Sequence, residues 1–241
     1  MTSDDAGAFA TVVIVAAGRG ERFGSRAKVL APVGGKPVLE WSLIAATGAR
    51  CVRDVIVVAG EHTMPAIADL VHSAIWSKPV SIVQGGVRRQ DSVVAGVDAV
   101  SPASDVVLIH DAARPLATAG LFEACALEAR ECGAAILAIP VSDTLKHATG
   151  GVIQRTVSRE GLWAAQTPQG FRREVIQSAI GRSRTMSEEF TDEASLLEAL
   201  GQPVRIVPGA RSNLKVTHRE DLDLVDALLL RRAQMEKERG W

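Results

Sequence analysis

The sequence predicts an α/β protein built on a doubly wound, mostly parallel sheet. Short apolar runs alternate with longer helix-like stretches, and the runs are rich in the β-branched residues that suit strands buried on both faces. The predicted strands are Val12–Val15, Val55–Ala59, Val80–Gln84, Val106–Ile109, Ala135–Ile139 and Arg205–Val207. The predicted helices are Val38–Thr47, Met64–Ala74, Gln90–Val100, Ala119–Cys132, Arg173–Gly181, Asp192–Leu200 and Arg219–Lys237. A length of 241 residues suits one domain, spanning 1–241.

Two segments stand outside this alternation. Residues 1–9 lack the basic start and the long apolar run of a signal peptide, so we expect a loose leader there. Residues 141–167 are polar and extended around a turn at Thr149-Gly150-Gly151, which predicts a protruding hairpin arm. Because an isolated hairpin is only marginally stable, we expect the arm to pack on a second subunit.

Composition disfavours nucleic-acid and membrane binding. The chain carries 27 Lys and Arg against 28 Asp and Glu, so no global charge attracts nucleic acid. No segment approaches the ~20 apolar residues of a membrane span. Cys51, Cys125 and Cys132 contain no C-x-x-C pair, so neither a disulfide framework nor a zinc site is indicated, and the cytoplasm is the expected compartment.

The segment 12–41 carries the most specific local signal. Its β-branched run ends in three small residues at 16–18, where backbone amides can approach a ligand closely. Arg22 and Lys28 follow, at positions that bring positive charge to a polyphosphate. The segment therefore predicts a nucleotide phosphate site, and the alternative is an ordinary strand-to-helix turn with solvated charges.

Two standard nucleotide motifs do not match. The sequence GRGERF follows G-x-G-x-x-G until its last position, Phe23. A dinucleotide site also requires an acidic residue at the end of a second strand about 20 residues on, but the second predicted strand comes much later. No G-x-x-x-x-G-K-[ST] occurs. An NAD oxidoreductase and a Walker-type protein are therefore disfavoured.

Two further clusters flank predicted helices. GGVRRQDSV places two glycines and two arginines before a helix, where Ser92 either caps the helix or binds ribose, whereas Asp91 is better explained as part of the helix start. NLKVTHRED precedes the last helix, and Thr217 with Glu220 is the predicted capping box. Lys215 has no evident structural task there, which makes it a candidate functional residue.

Another two clusters follow predicted strands, where ligands bind in open α/β sheets. VVLIHDAARP ends a strand with Asp111, a carboxylate suited to a metal or a substrate hydroxyl, and continues to Arg114, which can hold a phosphate. His110 is expected to be a core histidine or one that supports a site residue without touching the ligand, because histidines at strand ends often satisfy backbone groups. PVSDTLK begins the arm, and Arg159 lies near the end of it. Each of these segments either binds a substrate phosphate or stabilises the hairpin.

The chain resembles the 2-C-methyl-D-erythritol 4-phosphate cytidylyltransferase family in motifs that run in order from about residue 11 to residue 230: AAGRGERFG, AK, GGVRRQDSV, HDAARP, PVSDTLK, TVSREGLW, TPQGF, TDEAS and NLKVTHRED. The resemblance implies a Rossmann-like nucleotidyltransferase fold with a dimerisation arm. It also implies transfer of CMP from CTP to 2-C-methyl-D-erythritol 4-phosphate, with release of pyrophosphate, in the non-mevalonate isoprenoid pathway. A divalent cation, normally Mg²⁺, and a homodimer as catalytic unit are further implications.

The resemblance assigns roles to individual residues. The implied catalytic cations are Arg22, Lys28, Arg159 and Lys215. The implied CTP site consists of Ala16, Ala17, Gly18, Gly86, Arg89, Ser92 and Ala112. The implied acceptor site consists of Asp111, Arg114 and Thr144. Asp111 is also the candidate Mg²⁺ ligand, with the metal held mainly by CTP phosphates, and Arg159 would reach the site from the partner subunit.

Two positions depart from the family pattern, and two other functions remain open. Val15 and Ala27 stand where proline is frequent, so the loop loses the rigidity that proline confers. Ribitol 5-phosphate cytidylyltransferase is the alternative enzyme, although HDAARP and NLKVT favour methylerythritol phosphate. A non-catalytic nucleotide-binding protein of the same fold would be expected to lose its cations, but all four are present.

Overall fold

The computed structural model describes residues 7–18, 23, 27–183 and 190–238. The strands are β1 (Ala10–Ala16), β2 (Pro32–Val33), β3 (Lys36–Pro37), β4 (Val52–Ala59), β5 (Val80–Gln84), β6 (Val106–Asp111), β7 (Ala134–Pro140), β8 (Leu145–Thr149), β9 (Val152–Val157), β10 (Trp163–Arg172) and β11 (Arg205–Pro208). The helices are α1 (Val38–Gly48), α2 (Met64–Ser73), α3 (Arg89–Asp98), α4 (Ala119–Cys132), α5 (Arg173–Ser183), α6 (Glu193–Ala199) and α7 (Asp221–Glu238). A short 3-10 helix covers Lys28–Leu30.

A central sheet of seven strands organises the fold, in the order β11-β7-β10-β6-β1-β4-β5. β1 lies between β4 and β6 and pairs in parallel with both, while β10 runs antiparallel to β6 and β7. The carboxyl ends of β1 and β6 therefore lie side by side, with Val15 opposite Asp111. This register brings the first loop next to the HDAARP motif.

Apolar side chains of β1 alternate between two cores on opposite faces of the sheet. Val12 and Ile14 pack in one core with residues of α1, α2 and α4. Val13 packs in the other core with residues of α3, α5 and α6. Because a strand buried on both faces needs an apolar residue at every position, this arrangement explains the uninterrupted run that predicted the strand. The predicted doubly wound, mostly parallel sheet is confirmed.

The predicted arm was too long. Its two strands, β8 and β9, form an antiparallel hairpin whose turn residues Gly150 and Gly151 have positive φ values of 58° and 78°. The chain after Trp163, however, enters the central sheet as β10, a strand that the periodicity did not reveal. Within that strand, position 170 has no room for a side chain, since a Cβ on Gly170 would lie 2.9 Å from the Cβ of Ala129 and 3.1 Å from the carbonyl of Cys125, both in α4. Close helix packing thus removed the expected β-branched signal.

The start of the last helix also differs from its prediction. α7 begins at Asp221, and the Asp221 carboxylate accepts hydrogen bonds from the backbone amides of Thr217 (2.6 Å) and His218 (2.8 Å). The Thr217 hydroxyl instead donates to the carbonyl of Lys215 at 3.1 Å. The capping box assigned to Thr217 and Glu220 is therefore wrong, because an acidic side chain inside the first turn satisfies these amides. Across the described ranges, no helix combines the length and apolarity needed to cross a membrane.

Gly96 allows α3 to approach the sheet, and its substitution tests this packing. A Cβ at Gly96 would lie 2.3 Å from Cγ1 of Val13 and 2.8 Å from Cγ2 of Val58, both on buried strands. We expect Gly96→Ala to lower the free energy of unfolding by ~1–3 kcal/mol through overpacking. Gly48→Ala is the matched control, since a Cβ at this helical glycine meets nothing within 4 Å. Urea unfolding that places both variants at wild-type stability or above would contradict this packing account.

Candidate active site

A pocket opens at the carboxyl ends of β1 and β6, where the register predicts a ligand site. It brings together most of the residues implied for CTP, two of the implied catalytic cations, Lys28 and Lys215, and one residue of the implied acceptor site, Asp111. The predicted residues that line it are Ala16, Ala17, Gly18, Lys28, Gly86, Arg89, Ser92, Asp111 and Lys215. Its lining also includes residues that the sequence did not assign to the site: Val15, Val29, Val87, Arg88 and Ala113. Arg22 lies outside the described residues.

Small residues let the loop after β1 pack closely against the loops after β4 and β5. A Cβ on Gly85 would lie 2.7 Å from Oγ of Ser92 and 2.8 Å from Cβ of Ala17. A Cβ on Gly60 would lie 3.0 Å from the carbonyl oxygen of Ala17. Larger side chains would separate the loop after β1 from the loops after β4 and β5. The small-residue pattern therefore reflects loop packing as well as access for a ligand.

The GGVRR loop is stabilised by the first residues of α3. The Asp91 carboxylate accepts from the backbone amide of Arg88 at 3.2 Å and from its guanidinium at 2.7 Å, which confirms the helix-start interpretation of Asp91. The Ser92 hydroxyl donates to the carbonyl oxygens of Arg88 (3.2 Å) and Gly86 (3.4 Å). Ser92 thus shapes the loop while it also lines the pocket.

Asp111 is the anionic centre of the pocket. Lys215 places its Nζ 2.8 Å from Oδ2 of Asp111, and guanidinium nitrogens of Arg89 and Arg114 each lie 3.8 Å from one of the two carboxylate oxygens. Burial opposes ionisation, but these cations, Lys215 first, lower the pKa of Asp111 to about 2. The Asp111 amide donates to the hydroxyl of Thr167 at 3.0 Å, which ties this strand end to β10. The carboxylate is therefore charged at physiological pH.

Arg89 pairs with an acid that sequence reasoning missed. Its guanidinium donates to both carboxylate oxygens of Glu193, at 2.7 Å and 3.0 Å. Burial raises the pKa of Glu193, and the adjacent Arg89 charge opposes that rise. Glu193 belongs to the TDEAS motif, which supported the family resemblance without indicating a role for any one residue. Only the tertiary structure brings it to Arg89, across 104 residues of chain.

Arg114 makes structural contacts behind the pocket. Its guanidinium donates to the carbonyl of Asn213 at 2.8 Å and to that of Ala165 at 3.4 Å. The Asn213 side chain in turn donates to the carbonyl of Thr167 at 2.9 Å. Arg114 therefore holds the loop that carries Lys215 against β10, and its assigned contact with an acceptor phosphate stays a prediction.

His110 and Ala112 are buried beside the pocket. The His110 ring packs on Phe122 with ring centroids 4.8 Å apart, and its Nδ1 lies 3.1 Å from the Thr167 hydroxyl. Burial lowers the pKa of His110 to about 3, so the ring is neutral at physiological pH. The expected core role of His110 is confirmed. The Ala112 carbonyl accepts from the Ser42 hydroxyl at 3.2 Å, so this backbone group serves the packing of α1.

Thr144 and Arg159 lie at the base of the arm, outside the pocket lining of the described chain. Both are exposed, and the Arg159 guanidinium donates to the carbonyl of Ser142. Arg159 therefore contacts the segment that leads to Thr144, and neither residue lines the pocket.

Lys28 is placed by the short helix after the first loop. The amide of Ala31 donates to the Lys28 carbonyl at 3.1 Å, and the neighbouring Val29 is buried. Hydrogen bonds from the amides of His218 and Thr217 lower the pKa of Asp221, and the positive charge of Lys28 adds to that effect. Lys28 thus stands between the pocket, which it lines, and the start of α7.

Comparison with known proteins agrees with this geometry. A family model described as 2-C-methyl-D-erythritol 4-phosphate cytidylyltransferase matches residues 10–231. A relative of that name from Parasynechococcus marenigrum is 43% identical over 225 residues, which cover 92% of this chain and 99% of the relative. The crystal structure of the protein of that name from Thermus thermophilus is 34% identical, with a TM-score of 0.73 over 90% of this chain and 97% of its own. The crystal structure of a 4-diphosphocytidyl-2C-methyl-D-erythritol synthase from Anaerococcus prevotii is 29% identical. Its TM-score is 0.81, and the match covers 94% of this chain and 100% of that one. The chain therefore belongs to the 2-C-methyl-D-erythritol 4-phosphate cytidylyltransferase family.

Proposed function

We propose that this protein transfers the cytidylyl group of CTP to 2-C-methyl-D-erythritol 4-phosphate, forming 4-diphosphocytidyl-2-C-methyl-D-erythritol and pyrophosphate. One observation carries the mechanism: a loop of small residues and a cluster of cations around Asp111 meet in one pocket at adjacent strand ends. Attack of the acceptor phosphate on the α-phosphorus of CTP forms one P–O bond and breaks the bond to pyrophosphate. Such a reaction depends on alignment and charge neutralisation rather than on a protein nucleophile.

The cations of the first loop act on the CTP phosphates in this proposal. Lys28 lines the pocket together with the small residues Ala17 and Gly18, so its ammonium stands beside the backbone that would hold the triphosphate. We assign Lys28 to the developing charge on the α-phosphate and the leaving pyrophosphate. Arg22 carries the same assignment from its place in the sequence. Gly86 and Ser92 line the same pocket and would hold the nucleoside.

The acceptor phosphate is assigned to the cationic side of the pocket. Lys215 is 45% exposed while it pairs with Asp111, so its ammonium keeps room for a second anionic partner. Asp111 can accept hydrogen bonds from acceptor hydroxyls, because its low pKa keeps it ionised. Arg114 holds the backbone around Lys215 in register. Alignment of two anions requires this fixed arrangement of charges.

The residues of the pocket also fit a magnesium ion bound with the nucleotide. Within the described residues no group of three or more His, Cys, Asp or Glu side chains is arranged to hold a metal. Mg²⁺ commonly takes one or two carboxylates and completes its shell with substrate phosphates and water, so the single ionised carboxylate of Asp111 suits it. When bound, the ion would neutralise charge on the triphosphate oxygens. Asp111 would be its protein ligand.

The functional unit in this proposal is a homodimer joined through the arm. The apolar side chains of Val152 and Ile153 are 63% and 60% exposed on β9, which favours burial against another surface. Arg159 and Thr144 lie at the arm's base and outside this protomer's pocket, so a crossed arm would deliver them to the partner's site. The cytoplasm is the proposed compartment, and three cysteines that remain as free thiols in the described chain agree with a reducing environment.

Pyrophosphate release tests the reaction directly. We expect release with CTP, Mg²⁺ and methylerythritol phosphate, and little with GTP or UTP in place of CTP. Preference for ribitol 5-phosphate would mean that the protein catalyses cytidylyl transfer but uses ribitol 5-phosphate as its acceptor. If folded protein binds CTP but releases no pyrophosphate with either acceptor, the proposed reaction is wrong and a non-catalytic role replaces it.

A further inference from the structure

Glu193 is a buried acid that approaches the pocket without lining it. Its side chain is 5% exposed, and both carboxylate oxygens accept from Arg89. A bidentate pair of this kind fixes the plane of the guanidinium as well as its position. Arg89 lines the pocket and Glu193 does not, so Glu193 fixes the orientation of the Arg89 guanidinium from outside the pocket lining.

The backbone around Glu193 is itself tightly held. Asp192 caps α6 by accepting from the amide of Ser195 at 2.9 Å, and its other oxygen accepts from the side chain of Gln169 on β10 at 2.7 Å. Ala194 and Leu197 on the same helix are buried. The backbone that carries Glu193 is therefore anchored to α6 and β10 independently of Arg89.

Asp111 competes with Glu193 for the same cation. One Arg89 nitrogen lies 3.8 Å from Oδ1 of Asp111, beyond hydrogen-bond distance but well inside the range of strong attraction at a buried site. Lys215 holds Asp111 at 2.8 Å on the other oxygen. Without the charge of Glu193, Arg89 would retain Asp111 as a nearby carboxylate and would be drawn onto it. The ion pair between Asp111 and Lys215 would then lose its present geometry.

We propose that Glu193 is a positioning residue that holds Arg89 away from Asp111, so that Asp111 and Lys215 keep the geometry needed for the acceptor. This inference rests on the proposed function, because it takes Asp111 and Lys215 as the acceptor side of the pocket. Glu193 touches no substrate in this account and acts only through Arg89.

The isosteric variant Glu193→Gln tests the proposal by activity. We expect kcat/KM for methylerythritol phosphate to fall at least ~10-fold, a coupling typical of residues in one charged network. Because Glu193 acts through Arg89, the double variant E193Q/R89M should be no less active than R89M alone. Glu123→Gln is the matched control, since Glu123 pairs with the exposed Arg50, which precedes the amino end of β4, away from the pocket. Normal kcat/KM in E193Q, or losses that multiply in the double variant, would overturn the proposal.

Two further measurements distinguish a failure of this proposal from misfolding of a variant and from a failure of the proposed reaction. If E193Q alone does not fold, the comparison of R89M with E193Q/R89M still decides, because an additional ~10-fold loss in the double variant would mean that Glu193 acts independently of Arg89. A crystal structure of E193Q should show Arg89 within hydrogen-bond distance of Asp111, and an unchanged separation would refute the inference whatever the activity. Inactive wild-type protein would instead count against the proposed function alone.

Discussion

Lys28→Ala lowers turnover at least ~100-fold and leaves the fold nearly intact, if Lys28 stabilises the transition state as proposed. A loss of this size equals about 2.7 kcal/mol of the activation barrier, the order found when one preorganised electrostatic group is removed. Stability should change little, because the neighbouring Val29 supplies the core packing and the Lys28 carbonyl remains bonded to the Ala31 amide. The alanine removes the ammonium of a residue that lines the pocket and whose charge also helps to lower the pKa of Asp221.

Steady-state pyrophosphate release together with thermal unfolding measures this effect. Lys36→Ala is the matched control, because Lys36 pairs with Glu40 on α1 and does not belong to the pocket lining. Lys36→Ala should retain turnover near that of the wild type. Near-normal turnover in Lys28→Ala would remove Lys28 from its assigned role, and equal losses in both lysine variants would point to a general effect of surface charge.

Arg159→Ala is expected to lower kcat/KM for methylerythritol phosphate by ~100-fold while the affinity for CTP changes little. The physical reason is that the guanidinium would neutralise and orient the attacking phosphate. Arg155→Ala is the control, since Arg155 is an exposed arginine of the same arm, on β9. A CTP affinity that falls as far as acceptor use would contradict this division of roles.

Mixing the Arg159→Ala and Lys28→Ala proteins tests whether the arm crosses between subunits. If it crosses, each mixed dimer contains one site with both residues intact, because its pocket comes from one subunit and its arm from the other. Random exchange makes half of the dimers mixed, so recovery of roughly a quarter of wild-type activity is expected. No recovery, with subunit exchange verified by mass spectrometry, would place Arg159 in the site of its own subunit.

Local sequence features predicted most elements because each carries a strong periodic signal. β1 and β6 are buried on both faces and read as unbroken apolar runs, whereas α4 begins and ends where its pattern predicts. β10 escaped prediction in part because close packing against α4 requires glycine at position 170, and glycine has a low strand propensity. The start of α7 was misplaced because Asp221 and Thr217 are both plausible capping residues in sequence, and only the fold decides between them.

By itself, the sequence determined the doubly wound sheet, the loops after its strands and nine of the residues that line the pocket, because these depend on periodicity and on motifs short in sequence. The tertiary structure alone decided how those residues pair. Glu193 meets Arg89 across 104 residues, and Lys215 meets Asp111 from a different loop. Charged partners far apart in the chain leave no local pattern, since their attraction acts only after folding has brought them into one buried space.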